Sequence, residues 1–175
     1  MTADRISLTA MTLEYAETVR QWRNQDLRPY RTPYLLTREM QEHWYLNCVC
    51  RRQSDDRYWA VLDGDRFVGM VGLTRIEWEN ALAEIALIVD PDAARRGYGT
   101  EAVKAILAQA FDNLGLQTVY GECYECNPAI EFWRRVCQEL GAYSTVLPAR
   151  KRWGGRLWNS LYFSISCCNR ARADG

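Results

Sequence analysis

Between residues 85 and 114 an apolar strand, a glycine-containing loop and a long amphipathic helix follow one another without a break. Ile85-Ala86-Leu87-Ile88-Val89 has the composition of a strand. Asp90 to Gly99 is polar, holds Arg95-Arg96-Gly97-Tyr98-Gly99, and leads into a helix expected over Thr100 to Leu114. There Val103, Ile106, Leu107, Ala110, Phe111 and Leu114 recur at i, i+3, i+4, i+7, i+8 and i+11, one apolar stripe. Gly115 closes it as a left-handed cap. Glycines let backbone N–H groups approach a ligand that side chains would exclude. At a helix N-terminus unpaired N–H groups and the macrodipole favour phosphate, and Arg95 and Arg96 add full charge. The unit therefore reads either as a phosphate site or as a turn that two glycines shape. A P-loop is excluded because its lysine is missing. A dinucleotide fingerprint is excluded because the third glycine and the opening βαβ unit are missing.

The remaining periodicities place this unit in one α+β domain, residues 1–166, with a mostly antiparallel sheet and about four helices. Ile6 to Leu8 reads as a strand, and Thr12 caps a helix carrying Tyr15, Val19 and Trp22. Thr37 opens a second helix to about Cys50, with Met40, Trp44 and Cys48 on one stripe. Tyr58 to Leu62 and Phe67 to Val71 form a hairpin around Asp63-Gly64-Asp65. Strands follow at Leu82 to Val89, Thr118 to Glu122, Tyr143 to Leu147 and Leu157 to Ile165, with a helix from Asn127 or Pro128 to Leu140. Residues 167–175 read as a disordered tail.

Charge and cysteine content narrow the function. Twenty-two basic residues balance 22 acidic ones, so no global field draws nucleic acid or an anionic membrane. The N-terminus lacks the basic-then-apolar layout of a signal peptide, and no apolar run reaches the roughly 18 residues of a spanning helix. Seven cysteines, an odd number, with His43 the lone histidine, argue for reduced thiols in the cytoplasm and against a metal site.

Val89-Asp90-Pro91, the Arg95-Arg96-Gly97-Tyr98-Gly99-Thr100 loop and the helix after it resemble the acetyl-CoA-binding core of the GNAT superfamily of N-acetyltransferases. The family loop usually reads Gln/Arg-x-x-Gly-x-Gly/Ala; here Ala94 holds the first position. Trp22-Arg23-Asn24, Trp44-Tyr45, Ala83-Glu84-Ile85, Phe132-Trp133, Leu140-Gly141 and Ser160 to Ile165 are similar, in order, to Rim-type and amino-sugar acetyltransferases. The resemblance implies a mixed sheet whose fourth and fifth strands splay to admit coenzyme A. It implies that backbone groups of Leu87, Ile88 and Val89 meet the pantetheine arm. The amides from Arg95, Arg96, Gly97, Tyr98, Gly99 and Thr100 would hold the pyrophosphate, and Asn127 the pantetheine or adenylate arm.

Acyl transfer to an amine needs the neutral amine. A lysine-like amine is neutral in roughly one molecule in a few thousand at pH 7, an α-amine in roughly one in seven. Glu84, a carboxylate in an apolar strand, is the candidate general base, or else a structural carboxylate paired with arginine or backbone. His43 is a second base candidate or a surface residue. Trp133 stands where many relatives keep an acidic tyrosine, leaving Tyr124, Tyr143 and Tyr162 as substitutes. The acceptor is expected to be a small-molecule or peptide amine, flanked by Arg28 to Tyr34 with Tyr45 and by Arg150-Lys151-Arg152-Trp153. A homodimer is compatible with this reading. The rival readings are a catalytically silent acyl-CoA-binding module and a nucleic-acid-binding protein using Arg150 to Arg156.

Overall fold

A computed structural model describes residues 5–168. Its strands are β1 (Ser7–Ala10), β2 (Arg57–Asp63), β3 (Arg66–Glu77), β4 (Leu82–Val89), β5 (Thr118–Tyr124), β6 (Tyr143–Trp153) and β7 (Arg156–Ser166). Its helices are α1 (Leu13–Gln25), α2 (Arg38–Trp44), α3 (Tyr98–Ala108) and α4 (Ile130–Glu139). The strands form one mixed sheet in the order β1-β2-β3-β4-β5-β7-β6, in which only β4 and β5 run parallel. The α+β fold expected from the sequence is the one found.

Strand alternation sorts the core onto two faces. Ala83, Ile85, Leu87 and Val89 of β4 join the cluster that Val103, Ile106 and Leu107 of α3 and Val136 of α4 complete. Ile88, with Met70 of β3, belongs to the smaller cluster beneath α1 and α2. There Phe67 stacks on Tyr15 at 4.3 Å and on Trp22 at 5.2 Å between ring centroids, tying α1 to the β2–β3 hairpin.

Local sequence explains most boundaries. Thr12 and Thr37 accept from the backbone of Tyr15 and Met40, each at 3.2 Å, as the caps of α1 and α2. Three expectations need correction. The stripe on α2 does not include Met40, which is 48% exposed. Gln41 is buried instead, because its amide donates to the Ala16 carbonyl at 2.9 Å. α4 begins at Ile130, since the Asn127 side chain accepts from the Ala129 amide and holds Pro128 and Ala129 in a turn. β6 and β7 run longer than expected, to Trp153 and from Arg156. Of the tail read as disordered, Cys167 and Cys168 are ordered, the Cys167 amide donating to Gln117 at 3.0 Å; the rest lies outside the described residues.

Candidate active site

β4 and β5 pair only through Leu82–Thr118, Ala83–Val119 and Glu84–Tyr120. β5 then continues on β7 as far as Tyr124, while β4 continues on β3 as far as Val89, so the two strands part after Glu84. The Asp90 amide donates to the Val68 carbonyl at 2.9 Å, which sets the phase of the β3–β4 ladder. Ala86 and Ile88 therefore turn their backbone groups toward β3. Leu87 and Val89 turn theirs into the opening. Of the three residues expected to meet pantetheine, Ile88 thus offers side chain only.

The loop beyond β4 turns sharply into a helix N-terminus. Arg95 and Gly97 both take left-handed backbone, with φ of 64° and 91°. Such alternation turns successive N–H groups to one side. Gly97 also lets the chain enter α3 directly, so the helix starts at Tyr98, two residues before the expected Thr100. Its first bond runs from the Glu101 amide to the Gly97 carbonyl, and no side chain caps the turn. The amides of Tyr98, Gly99 and Thr100 are the unpaired donors of the first turn. A Cβ at Gly99 would lie 3.2 Å from the Phe132 ring, so the loop packs closely against α4. The side chain of Tyr98 is structural. It is 3% exposed, and its hydroxyl donates to Asp63 at 2.5 Å and accepts from Arg5 at 2.7 Å. Arg5 also donates to the Arg96 carbonyl at 2.8 Å, fixing the loop from β1's side of the sheet. Arg95 and Arg96 are exposed and form no ion pair among the described residues.

Below the opening lies a cleft of about 410 Å³ whose walls include Glu84, Leu87, Ile88 and Asn127. With them stand Tyr124, Trp133 and, from the loop expected to flank the acceptor, Tyr30 and Arg31; the Arg95 to Thr100 loop is not part of its lining. Glu84 is 5% exposed, and both its oxygens are engaged by guanidinium groups. Arg31 Nη2 lies 2.5 Å from Oε1, and Arg75 Nη1 lies 3.1 Å from Oε2. A bulge in β3, with Arg75 at φ 50°, aims that second guanidinium inward. Hydrogen bonding to Glu84 pushes the Arg31 pKa above its usual value. On β5, Glu122 accepts from Arg150 Nε at 2.9 Å and Ser160 Oγ at 2.7 Å, with Arg31 at 3.7 Å. Burial favours the protonated form of Glu122, yet these bonds hold its pKa below the usual value.

The other candidates separate cleanly. His43 is exposed, bonds to Asn47 and does not line the cleft. Trp133 is a core residue stacked on Phe163 at 4.9 Å. Of the three tyrosines, Tyr143 is exposed on β6 and Tyr162 stacks on Tyr120, whereas Tyr124 lines the cleft. Burial raises the Tyr124 pKa and keeps the phenol protonated. Lys151 is 6% exposed, donates to the Tyr30 carbonyl and lies over the Tyr124 ring at 5.3 Å. Two cations of the basic hairpin thus have partners within the molecule, Lys151 buried and Arg150 half exposed on Glu122. Cys137 is buried, with its thiol pushed up to about 11 by that burial. Among the described residues no cluster of His, Cys, Asp and Glu is placed to hold a metal ion. Among them, too, no helix is long and apolar enough to cross a membrane.

A sheet parted beside an uncapped helix end suits an enzyme that takes an acyl group from a phosphate-bearing thioester. A family model, the acetyltransferase (GNAT) domain, matches residues 5–142, and the chain belongs to that family. It is an N-acetyltransferase using acetyl-CoA. Among curated proteins no match is found. Its fold is that of the spermidine/spermine N-acetyltransferase SpeG from Vibrio cholerae. A structure of mutant forms of that enzyme has a TM-score of 0.84 at 18% identity, covering 98% of this chain and 99% of the other. A complex of the same enzyme with CoA and spermine gives 0.83 at 19%, covering 95% and 98%. A dodecameric structure gives 0.75 at 20%, covering 93% and 94%.

Proposed function

We propose that this protein acetylates a primary amine of a small molecule, such as an amino sugar or an antibiotic, or of a peptide N-terminus, in a ternary complex. The observation that carries this reading is the parting of β4 from β5 directly above a cleft of mixed polarity. Acetyl-CoA supplies an activated acetyl thioester when bound. The Leu87 and Val89 backbone groups fit the amides of its pantetheine arm, and the Tyr98, Gly99 and Thr100 amides its pyrophosphate, with Arg95 and Arg96 adding charge. Asn127, whose side-chain oxygen is engaged by the Ala129 amide, lines the cleft beside the same arm. An amide at the opening can stabilise negative charge on a carbonyl oxygen seated there.

Glu84 has two roles open to it, and its two guanidinium partners favour the holding role. The guanidinium groups of Arg31 and Arg75 bond both Glu84 oxygens, an arrangement suited to a carboxylate that holds its neighbours in place. We assign Glu84 to holding the loop around Arg31 over the cleft, the acceptor entering as the neutral amine. Tyr124 is the phenol placed to protonate the departing thiolate. Self-association of this chain is part of the proposal, in line with the dodecameric neighbour. The test is thiol release from acetyl-CoA with amino sugars, aminoglycosides, polyamines and peptides, the product identified by mass. Acetyl-CoA binding without turnover of any amine would leave a silent binding module; no binding would remove the reading altogether.

A further inference from the structure

Arg23 on α1 differs from the other arginines around the cleft. Arg31, Arg75 and Arg150 each meet a carboxylate within 3.1 Å. Arg23 forms no ion pair among the described residues. Its Nη2 donates to Thr32 Oγ1 at 2.9 Å, and its guanidinium lies 4.5 Å from the centre of the Tyr30 ring. Its Nε is out of contact with solvent and has no hydrogen-bond partner. Desolvation pulls the guanidinium pKa below its usual value, opposed only by neighbouring tyrosines. Those phenols bring no charge, since burial also raises the pKa values of Tyr30 and Tyr58. A cation taken out of water without a counter-charge is costly, and an aromatic face offsets only part of the cost. Arg23 nonetheless lines the cleft, with Tyr30, Trp44 and Tyr58 as walls.

The three carboxylates of the cleft show the complementary pattern. Glu84 and Glu122 are held by arginines, and Asp56 accepts from the Arg75 amide at 2.9 Å and the Tyr58 hydroxyl at 3.2 Å. A polycationic acceptor would find each acid already partnered. An anion would find a guanidinium lacking one.

We propose that the acceptor amine carries an anionic group, a carboxylate or a phosphate, and that Arg23 seats it between Tyr30 and Tyr58. This rests on the cleft being the acceptor seat of an acetyltransferase. A guanidinium binds either anion through paired N–H groups, and the aromatic walls keep water from screening the contact. The acceptor then lies with its anion toward α1 and its amine toward the opening between β4 and β5. Arg23 acts on specificity and takes no part in the bond changes.

Matched pairs of acceptors test this. Glucosamine 6-phosphate is compared with glucosamine, and a dipeptide with its C-terminal amide, with spermidine as the polycation. The anionic member of at least one pair is expected to show kcat/KM about tenfold or more above its neutral partner, and the pair that does so tells phosphate from carboxylate. Arg23→Gln removes the preference through the acceptor KM, the anionic member losing about tenfold or more relative to the neutral one, while the acetyl-CoA KM stays within about twofold. Arg23→Lys keeps the charge and part of the preference, which separates lost recognition from a damaged fold. Preference for neutral amines or spermidine, or equal loss for both members of a pair, overturns the proposal. Independently, inorganic phosphate titrated into the CoA complex is expected to shift the Arg23 Nε–H resonance saturably; an unmoved resonance also overturns it. Failure of acetyl-CoA to bind in calorimetry would instead sink the acetyltransferase reading, and the phosphate titration on the free protein would still decide Arg23.

Discussion

Arg31, in the loop before α2, places its guanidinium 2.5 Å from the Glu84 carboxylate on β4 and 3.7 Å from Glu122 on β5. One cation therefore spans the point where the two strands part. Chemistry at the cleft and the position of the loop over it are tied to the same ion pair.

Glu84→Gln separates the two roles of that carboxylate. With a true acceptor, turnover is expected to fall by less than about tenfold while the acceptor KM rises, because Arg31 loses its anchor. The acidic limb of the pH–rate profile remains, set by the acceptor amine. A fall of roughly 10²–10⁴ with loss of that limb would restore Glu84 as the base.

Tyr124→Phe removes one hydroxyl from the cleft and little else. If Tyr124 protonates the leaving thiolate, kcat falls by up to roughly 10², the lower end for acid–base help, because a thiolate leaves readily by itself. Acetyl-CoA affinity is unchanged in calorimetry. The same loss in Tyr162→Phe, with Tyr124→Phe silent, would move the role to the β7 residue.

Gly97→Glu tests the proposed phosphate site. The substitution places a charged side chain at φ 91°, a backbone state costing an L-residue about 1–2 kcal/mol, beside the amides expected to meet two phosphates. Calorimetry should show acetyl-CoA binding lost while circular dichroism shows the sheet intact. Normal binding would place the phosphates elsewhere.

Acid stability follows from Glu122. Its pKa is held below the unfolded value near 4.5, so the deprotonated form favours folding. That contribution is fully present above the unfolded value and lost as pH falls through the folded one. Glu122→Gln is expected to flatten the fall in denaturant midpoint below about pH 4.5 and to cost ~1 kcal/mol at neutral pH, since Arg150 is half exposed. An unchanged acid limb would locate the titrating group elsewhere.

Thiol reactivity gives a fifth check. Burial pushes Cys123 up to about 12 and Cys137 up to about 11, while Cys50 and Cys168 are exposed. At pH 8 a thiol reagent is expected to modify Cys50 and Cys168 quickly and to leave Cys123 and Cys137 last, until denaturant opens the core. Early loss of Cys137 in peptide mapping would contradict its burial.

Which parts were legible in the sequence follows from the range of the forces involved. Gly97, Gly115 and the α3 stripe act within a turn or two of their own position, so the loop and helix could be read directly. The parting of β4 and β5 came through family likeness, because no local pattern says where two strands 36 residues apart stop pairing. Arg31 on Glu84 and Lys151 on Tyr30 join residues far apart in sequence, and composition showed only arginines and tyrosines in a loop. Arg23 was visible inside Trp22-Arg23-Asn24, yet its want of an acid appears only when the fold gives Glu84 and Glu122 to other arginines and Asp56 to an amide and a phenol. Tyr124 was one of three equivalent tyrosines until β5 delivered it to the cleft.

The three residue pairs between β4 and β5 leave the sheet as two plates, β1 to β4 and β5 to β7, riveted at one edge. Their opening angle is set at that edge by Glu84–Tyr120 and by Arg31 clipped across it. Past that edge the backbone groups of Leu87 and Val89 meet no partner on β5, so an extended molecule bearing amides can pair with them as a further strand would.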